Sequence, residues 1–313
     1  MKPAGRSALL RSPRAERRLG WAWILLAPGL LWLTLLYLLP LLGLVPLSLS
    51  EPLSRFGLET RFSWRLANYA DGLGTYGPVL LRSFAFAALS TALGLLLAYP
   101  LACAIRFRGG RWQPLLIGLV VLPSLTSYLV RAIGWTSLLG DNGPVLGLVA
   151  ALGLTELGNG LGLLRDGRLL NTPTAVVLGL TSTQLPFLVL PLVVALQRID
   201  RRFLEAAADL HAGPWRRFRL VVWPLSRPGL ASALLLSLIP AAGDVVNPLF
   251  LGGPNERMIA NAIENLLLVQ LQAPRAAALA LVLMALTLVL MALSGVAVWL
   301  QLRRGGPDDL ALP

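Results

Sequence analysis

A series of long apolar segments, separated by short connections that carry arginine, constrains the fold of this chain more than any other feature. About 20 apolar residues in a helix cross the hydrocarbon core of a bilayer, and only helices and closed barrels satisfy their backbone groups there. Charged residues make up 13% of the 313 residues, about half of their share in a soluble domain. The sequence therefore predicts an all-α, polytopic membrane protein.

Six of these segments are long enough to be transmembrane helices, and together they define a membrane domain at residues 21–302. The predicted spans cover residues 22–48, 78–105, 112–139, 173–197, 225–250 and 276–302. A basic arm at 1–20 precedes them, and a short tail at 303–313 follows. In the outer segments we expect a structured loop at 50–77 and a re-entrant or surface helix within 140–172. A later outer segment is predicted to contain an amphipathic helix, with one face formed by Ile259, Ile263, Leu266 and Leu267.

The arginines indicate how the spans are oriented. With both termini in the cytoplasm, the inner segments carry eighteen basic residues and the outer loops carry seven, as the positive-inside rule requires. The net charge of +12 does not indicate nucleic-acid binding, because the arginines cluster at the ends of apolar segments and not on one face. We therefore expect both termini, and the loop at 199–224, to be cytoplasmic.

The residues of common catalytic and nucleotide sites are missing from the sequence. It contains no GxxxxGK[ST] loop, no HExxH motif and no serine nucleophile elbow. With a single histidine and a single cysteine, Cys103, which lies in an apolar run, there is little material for a metal site or a catalytic triad. We expect neither enzymatic activity nor a cofactor, so active transport would take its energy from a partner or from an ion gradient.

The loop at 199–224 is a polar, arginine-rich segment between two spans. Asp200 is a good N-cap for the alanine-rich helix that follows it, and Gly213 with Pro214 is expected to end that helix and begin a second one. The alanines leave little side-chain bulk, so the backbone of a partner could approach closely. The alternative interpretation is an ordinary positive loop on the cytoplasmic side.

A second group of candidates consists of polar residues within apolar segments. Asp244 lies in a predicted span that Gly243, Asn247 and two prolines interrupt, and a carboxylate at membrane depth usually marks a pathway. The alternative is a structural ion pair between Asp244 and Arg131. Tyr128 and Trp135 share the helix face of Arg131, where they could bind a cation or simply pack. The candidate pathway residues are therefore Asp244, Asn247, Arg131, Tyr128 and Trp135.

Glu205, Ala206 and Ala207, followed by an apolar run and Pro224, resemble the EAA loop of ATP-binding-cassette (ABC) importer permeases. The resemblance implies a type I permease fold in the bacterial inner membrane, in which this loop is a coupling helix that docks on an ATPase. It also implies two ATP-binding subunits, a second homologous permease, membrane lipid and an external or periplasmic solute-binding protein as partners. The implied coupling residues are Glu205, Ala206, Ala207, His211 and Gly213. The sequence departs from the family at His211, where glycine is usual, and Gly213 is then expected to make the bend after a slightly longer helix.

Further stretches are similar to the spermidine/putrescine type of these permeases. They are LVRAIGWTSLLGDNG, TPTAVVLGLTSTQLPFLVLPLVVALQRID and IPAAGDVVNPLFLGG. By this resemblance Asp244 takes the acidic position of the fifth span, and the solute is a polyamine or another organic cation. A permease for a different solute and an ion-gradient-driven carrier are the alternatives, and a carrier predicts two similar halves.

Overall fold

The computed structural model describes residues 25–53 and 59–304. The predicted basic arm at 1–20 and residues 305–313 of the predicted tail lie outside the described residues. Strands β1 (Ser50–Pro52) and β2 (Thr60–Phe62) pair antiparallel between the first two helices, where a structured loop was predicted. The helices, in chain order, are α1 Leu25–Ser48, α2 Ala67–Arg108, α3 Gly110–Leu125, α4 Tyr128–Leu139, α5 Pro144–Ala151, α6 Thr155–Gly160, α7 Pro173–Gln197, α8 Arg201–Asp209, α9 Pro214–Ala242, α10 Val246–Leu251, α11 Ile259–Leu268 and α12 Ala273–Arg304.

Five of these helices are long and apolar enough to cross a membrane, namely α1, α2, α7, α9 and α12. A sixth span is available if α3 and the pair α4–α5 are counted together, although their axes are bent by 94°. The predicted all-α, polytopic class is confirmed, and the bounds predicted for the fourth span coincide with those of α7 (Pro173–Gln197). The second span is longer than predicted, because α2 begins at Ala67 and runs for 42 residues.

The third span is not the continuous helix that hydropathy predicts for residues 112–139. The helix is interrupted at Thr126 and Ser127, whose backbone is extended, with ψ of 153° and 137°. The side chain of Thr126 donates to the carbonyl of Pro123 (2.7 Å), and Ser124 donates to Val121 (2.6 Å). Such local bonds compete with helical hydrogen bonding. The break places Tyr128 at the start of α4.

The fifth span also differs from the prediction of residues 225–250. Helix α9 already begins at Pro214 and continues through a π-helical turn at Phe218–Val222, so the second short helix expected in the loop is the first turn of this long one. Helix α9 ends at Ala242, and α10 begins at Val246. The prediction therefore placed both ends of this span too far towards the C-terminus, at 225 and 250 instead of Pro214 and Ala242.

The core lies where α2, α7 and α9 pack together. Leu188, Leu192 and Leu196 of α7 are fully buried against α2 and α9. The packing is closest at Gly229 of α9, where an added Cβ would lie 2.1 Å from the Cβ of Ala195. Helices α2, α7 and α9 therefore form the central packing unit of the protein.

The connecting segments on the side of the β-hairpin follow the predicted pattern with two differences. The predicted surface helix within 140–172 is a pair of short helices, α5 and α6. The predicted amphipathic helix is α11, with Ile259 and Leu266 buried against α12 and Ile263 packed beside them. Leu267 was expected on the same face but is 39% exposed, because it lies one residue beyond the buried position.

Candidate functional site

The predicted helix after Asp200 is present as α8. The Asp200 carboxylate accepts a hydrogen bond from the backbone N–H of Arg202 (3.0 Å), which confirms its role as N-cap. Leu204 packs against the core, Ala207 is half-buried, and Ala206 and Glu205 are exposed. Helix α8 therefore rests on the protein by one face and presents the other outward.

The turn after α8 does not form as predicted. His211 adopts the left-handed conformation with φ of 57°, whereas Gly213 has φ of −64° and ψ of 167° and precedes α9. The backbone N–H groups of His211 and Ala212 donate to Ala208 (2.9 Å) and Ala207 (3.0 Å), which ends the helix at Asp209. The expectation that Gly213 makes the bend after a longer helix is therefore wrong, and His211 makes it.

Large apolar side chains are exposed around α8. Phe203 is 58% exposed, Leu210 81% and Trp215 73%. Trp215 stacks on Phe218, which in turn makes an edge contact with Tyr99 of α2. An exposed surface with this much apolar area, rimmed by arginines, is typical of a protein-binding site. The α8 surface, defined as the exposed side chains of Phe203, Glu205, Ala206, Leu210 and Trp215, is suited to a partner that covers it.

The break between α9 and α10 brings three of the five predicted pathway residues together. The Asp244 carboxylate accepts hydrogen bonds from the backbone N–H and the side-chain amide of Asn247, both at 3.0 Å, and from the hydroxyl of Tyr128. The same amide also lies 2.8 Å from the Tyr128 hydroxyl oxygen. Because the Asp244 carboxylate accepts the backbone N–H of Asn247 in the first turn of α10, the helix break and the cluster form together.

Thr183 of α7 is a member of this cluster that the sequence did not reveal. Its hydroxyl oxygen lies 3.4 Å from the side-chain amide of Asn247 and donates to the carbonyl of Gly179 (3.0 Å). The only signal in the sequence is the polar run Thr181–Gln184 within an apolar span. We call Tyr128, Thr183, Asp244 and Asn247 the Asp244 cluster.

Arg131 lies beside the Asp244 cluster without pairing with its carboxylate. The guanidinium lies 5.3 Å from the centre of the Tyr128 ring, and one of its Nη atoms donates to the carbonyl of Pro123 (2.9 Å). In the part of the chain that the structure describes, no arginine or lysine comes within ion-pair distance of Asp244. The structural ion pair between Asp244 and Arg131 is therefore not formed.

Trp135 is not part of the Asp244 cluster. It packs on the apolar core formed by residues such as Leu139 and Leu180. Trp135 thus packs, in line with the packing interpretation, whereas Tyr128, two turns earlier on α4, has its hydroxyl in the polar cluster. Asp244 itself is only 7% exposed, so its carboxylate is largely removed from solvent.

Comparison with known proteins identifies the family. Residues 90–298 match the family of binding-protein-dependent transport system inner membrane components. The spermidine/putrescine transport system permease protein PotB of Haemophilus influenzae is 33% identical over 76% of this chain and 80% of its own length. PotB of Escherichia coli is 32% identical over 74% and 82% of the two chains, and the Escherichia coli inner membrane ABC transporter permease protein YdcU is 31% identical over 75% and 76%.

The fold is also similar to that of a solved protein. A chain of a bacterial ABC transporter involved in the import of the acidic polysaccharide alginate superposes with a TM-score of 0.62, covering 91% of this chain and 98% of that one at 16% identity. The fold is accordingly that of a type I ABC importer permease. From the sequence and the fold together, the chain belongs to the family of binding-protein-dependent transport system inner membrane components.

Proposed function

We propose that this chain is a permease subunit of an ABC importer that moves a polyamine, or another small organic cation, across the inner membrane. The names of the PotB relatives support this solute class. The observation that carries the proposal is the Asp244 carboxylate, which is buried among neutral donors. In the described part of the chain, no arginine or lysine pairs with Asp244. An unpaired acidic side chain at membrane depth attracts a cationic solute and repels an anionic one.

The α8 surface is the proposed docking site for an ATPase subunit. Its exposed apolar side chains and its small Ala206 suit a groove in a partner. In the full importer the chain pairs with a second, homologous permease, two ATP-binding subunits and an external solute-binding protein. The positive-inside rule supports an orientation in which α8 and both termini face the cytoplasm, where ATP is available.

The contacts of α8 supply a route by which docking moves the spans. Leu204 joins α8 to the core of α2, α7 and α9. Arg106 at the end of α2 donates to the carbonyl of Leu196 near the end of α7 (3.2 Å), which ties these two helices together. Closure of the ATPases would push α8, and the core would then tilt as a unit around the Asp244 cluster. This is an alternating-access mechanism by rigid-body movement.

Ala206→Trp tests the docking proposal. Ala206 is exposed, so a large side chain leaves the fold intact but prevents close approach of a partner. We expect uptake to fall to background and co-purification of the ATPase to be lost, while the amount of protein in the membrane is unchanged. Ala151→Trp, at an exposed position at the end of α5, is the matched control. Normal uptake by Ala206→Trp would rule out docking on this face.

A further inference from the structure

A cleft of about 310 Å³ opens on the surface opposite α8, between the β-hairpin and the first turns of α2 and α12. Two arginines, Arg65 and Arg275, line it together with Asn68 and Gln272, and Pro52 and Leu53 form an apolar wall. We call this the Arg65–Arg275 cleft. None of its residues belongs to the α8 surface or to the Asp244 cluster, so neither of the proposed activities accounts for it.

Each of the two guanidinium groups lies near a carboxylate. Arg275 contacts the Asp71 carboxylate at 3.1 Å and the side-chain oxygen of Gln272 at 3.0 Å. Arg65 lies 3.9 Å from the Glu51 carboxylate through a single nitrogen. A guanidinium carries five N–H donors in a fixed fork. Arg275 is therefore oriented by two close contacts, and both arginines retain donors for an anion in the cleft. The planar fork of a guanidinium matches the oxygens of a phosphate.

The position of the cleft indicates where the anion comes from. Helix α1 ends at Ser48 and the apolar helix α12 begins at Ala273, so the cleft lies at the level where two spans leave the hydrocarbon. The side-chain amide of Asn68 donates to the carbonyls of Ser48 and Ser50, both at 2.8 Å. These bonds hold the first turn of α2, and with it the cleft, beside the end of α1. Residues at this depth contact the headgroups of lipids.

The surface beside the cleft is continuous with the lipid-facing surface of the spans. Along the apolar part of α1, no residue is buried by the rest of the protein. Phe62, Trp64 and Leu66 are exposed next to Arg65, with the two aromatic rings 5.0 Å apart. Aromatic side chains at the end of a span are typical of a membrane interface. An acyl chain can thus follow α1 while its headgroup reaches the two arginines.

We propose that the Arg65–Arg275 cleft binds the phosphate of a phospholipid headgroup, with the acyl chains along α1. The proposed orientation of the importer places this lipid in the outer leaflet. The site requires only that the cleft meets the membrane, and it does not depend on which solute is transported.

The test measures binding of short-chain phosphatidylglycerol to the purified importer complex by native mass spectrometry. We expect one lipid per copy of this chain, with the double variant Arg65→Gln and Arg275→Gln weakening that binding at least about tenfold, which corresponds to about 1.4 kcal/mol. Replacement of both residues by lysine should weaken it less, because the charge remains. The control is Arg168→Gln, which removes an exposed arginine of the ion pair with Asp141 (3.4 Å) and should leave lipid binding unchanged.

Three results would overturn the proposal. Equal lipid binding by the wild type and the double glutamine variant would show that the cleft holds no lipid. Inorganic phosphate that occupies the site as tightly as the lipid would assign the cleft to a free anion. Unchanged lipid binding, together with lost stimulation by the solute-binding protein, would assign it to a protein partner. Because neither ATP nor solute is present in the binding measurement, failure of the proposed transport function leaves this test intact.

Discussion

The Asp244 carboxylate is removed from solvent but is not paired with a cation in the described part of the chain. It is satisfied by the amide groups of Asn247 and the hydroxyl of Tyr128. Each of these donors is neutral, so none of them brings a positive charge to the carboxylate. The side chain is thus suited to attract a cation, and Tyr128 and Asn247 orient it.

Asp244→Asn should reduce polyamine uptake at least about tenfold, since the loss of one charge interaction of about 1.4 kcal/mol has that effect. The asparagine side chain is nearly isosteric, so the amount of protein in the membrane should not change. The control is Asp141→Asn, which removes an exposed carboxylate of the outer loops. Uptake by intact cells that matches the wild type would remove the basis for a pathway at this residue.

His211 makes a turn that usually requires glycine. Its φ of 57° costs an L-residue about 1–2 kcal/mol. His211→Gly should therefore raise the thermal unfolding midpoint of the protein and preserve uptake. His211→Val should lower both, because a β-branched side chain is strained in this conformation. Loss of uptake in a stably folded glycine variant would indicate instead that the imidazole contacts the ATPase.

At the scale of secondary structure, α7 and α9 pack almost backbone to backbone. An added Cβ at Gly229 would lie 2.1 Å from Ala195 and 3.2 Å from the carbonyl oxygen of Pro191. In contrast, nothing lies within 4 Å of a Cβ added at Gly118 in α3. The same substitution should therefore have opposite effects at these two helical glycines.

Gly229→Ala should destabilise the protein by about 1–3 kcal/mol, because it forces two packed helices apart. Gly118→Ala should instead be neutral or stabilise by up to about 1 kcal/mol, since alanine favours the helix. Thermal unfolding midpoints in the same detergent measure both. A midpoint for Gly229→Ala at or above that of the wild type would contradict the packing described between α7 and α9.

For the whole molecule, hydropathy and arginine placement were sufficient to predict an all-α membrane fold, and Asp200 marked the start of α8. The break at Thr126 and Ser127 could not be predicted, because hydropathy does not record hydroxyl groups that bond to their own backbone. Thr183 was missed for a related reason. A threonine hydroxyl in an apolar helix usually donates to a carbonyl of the preceding turn, so its presence alone does not indicate a polar cluster. The proximity of Tyr128 to Asp244, 116 residues apart in sequence, depends on that break.

The most direct test of the proposed function reconstitutes this chain with its partner permease, ATPases and solute-binding protein in liposomes and measures entry of a labelled polyamine. We predict entry only when ATP and the binding protein are both present, with loss of entry in the Ala206→Trp and Asp244→Asn variants. Entry that proceeds without ATP through this chain alone would contradict the proposal and identify a carrier or a channel.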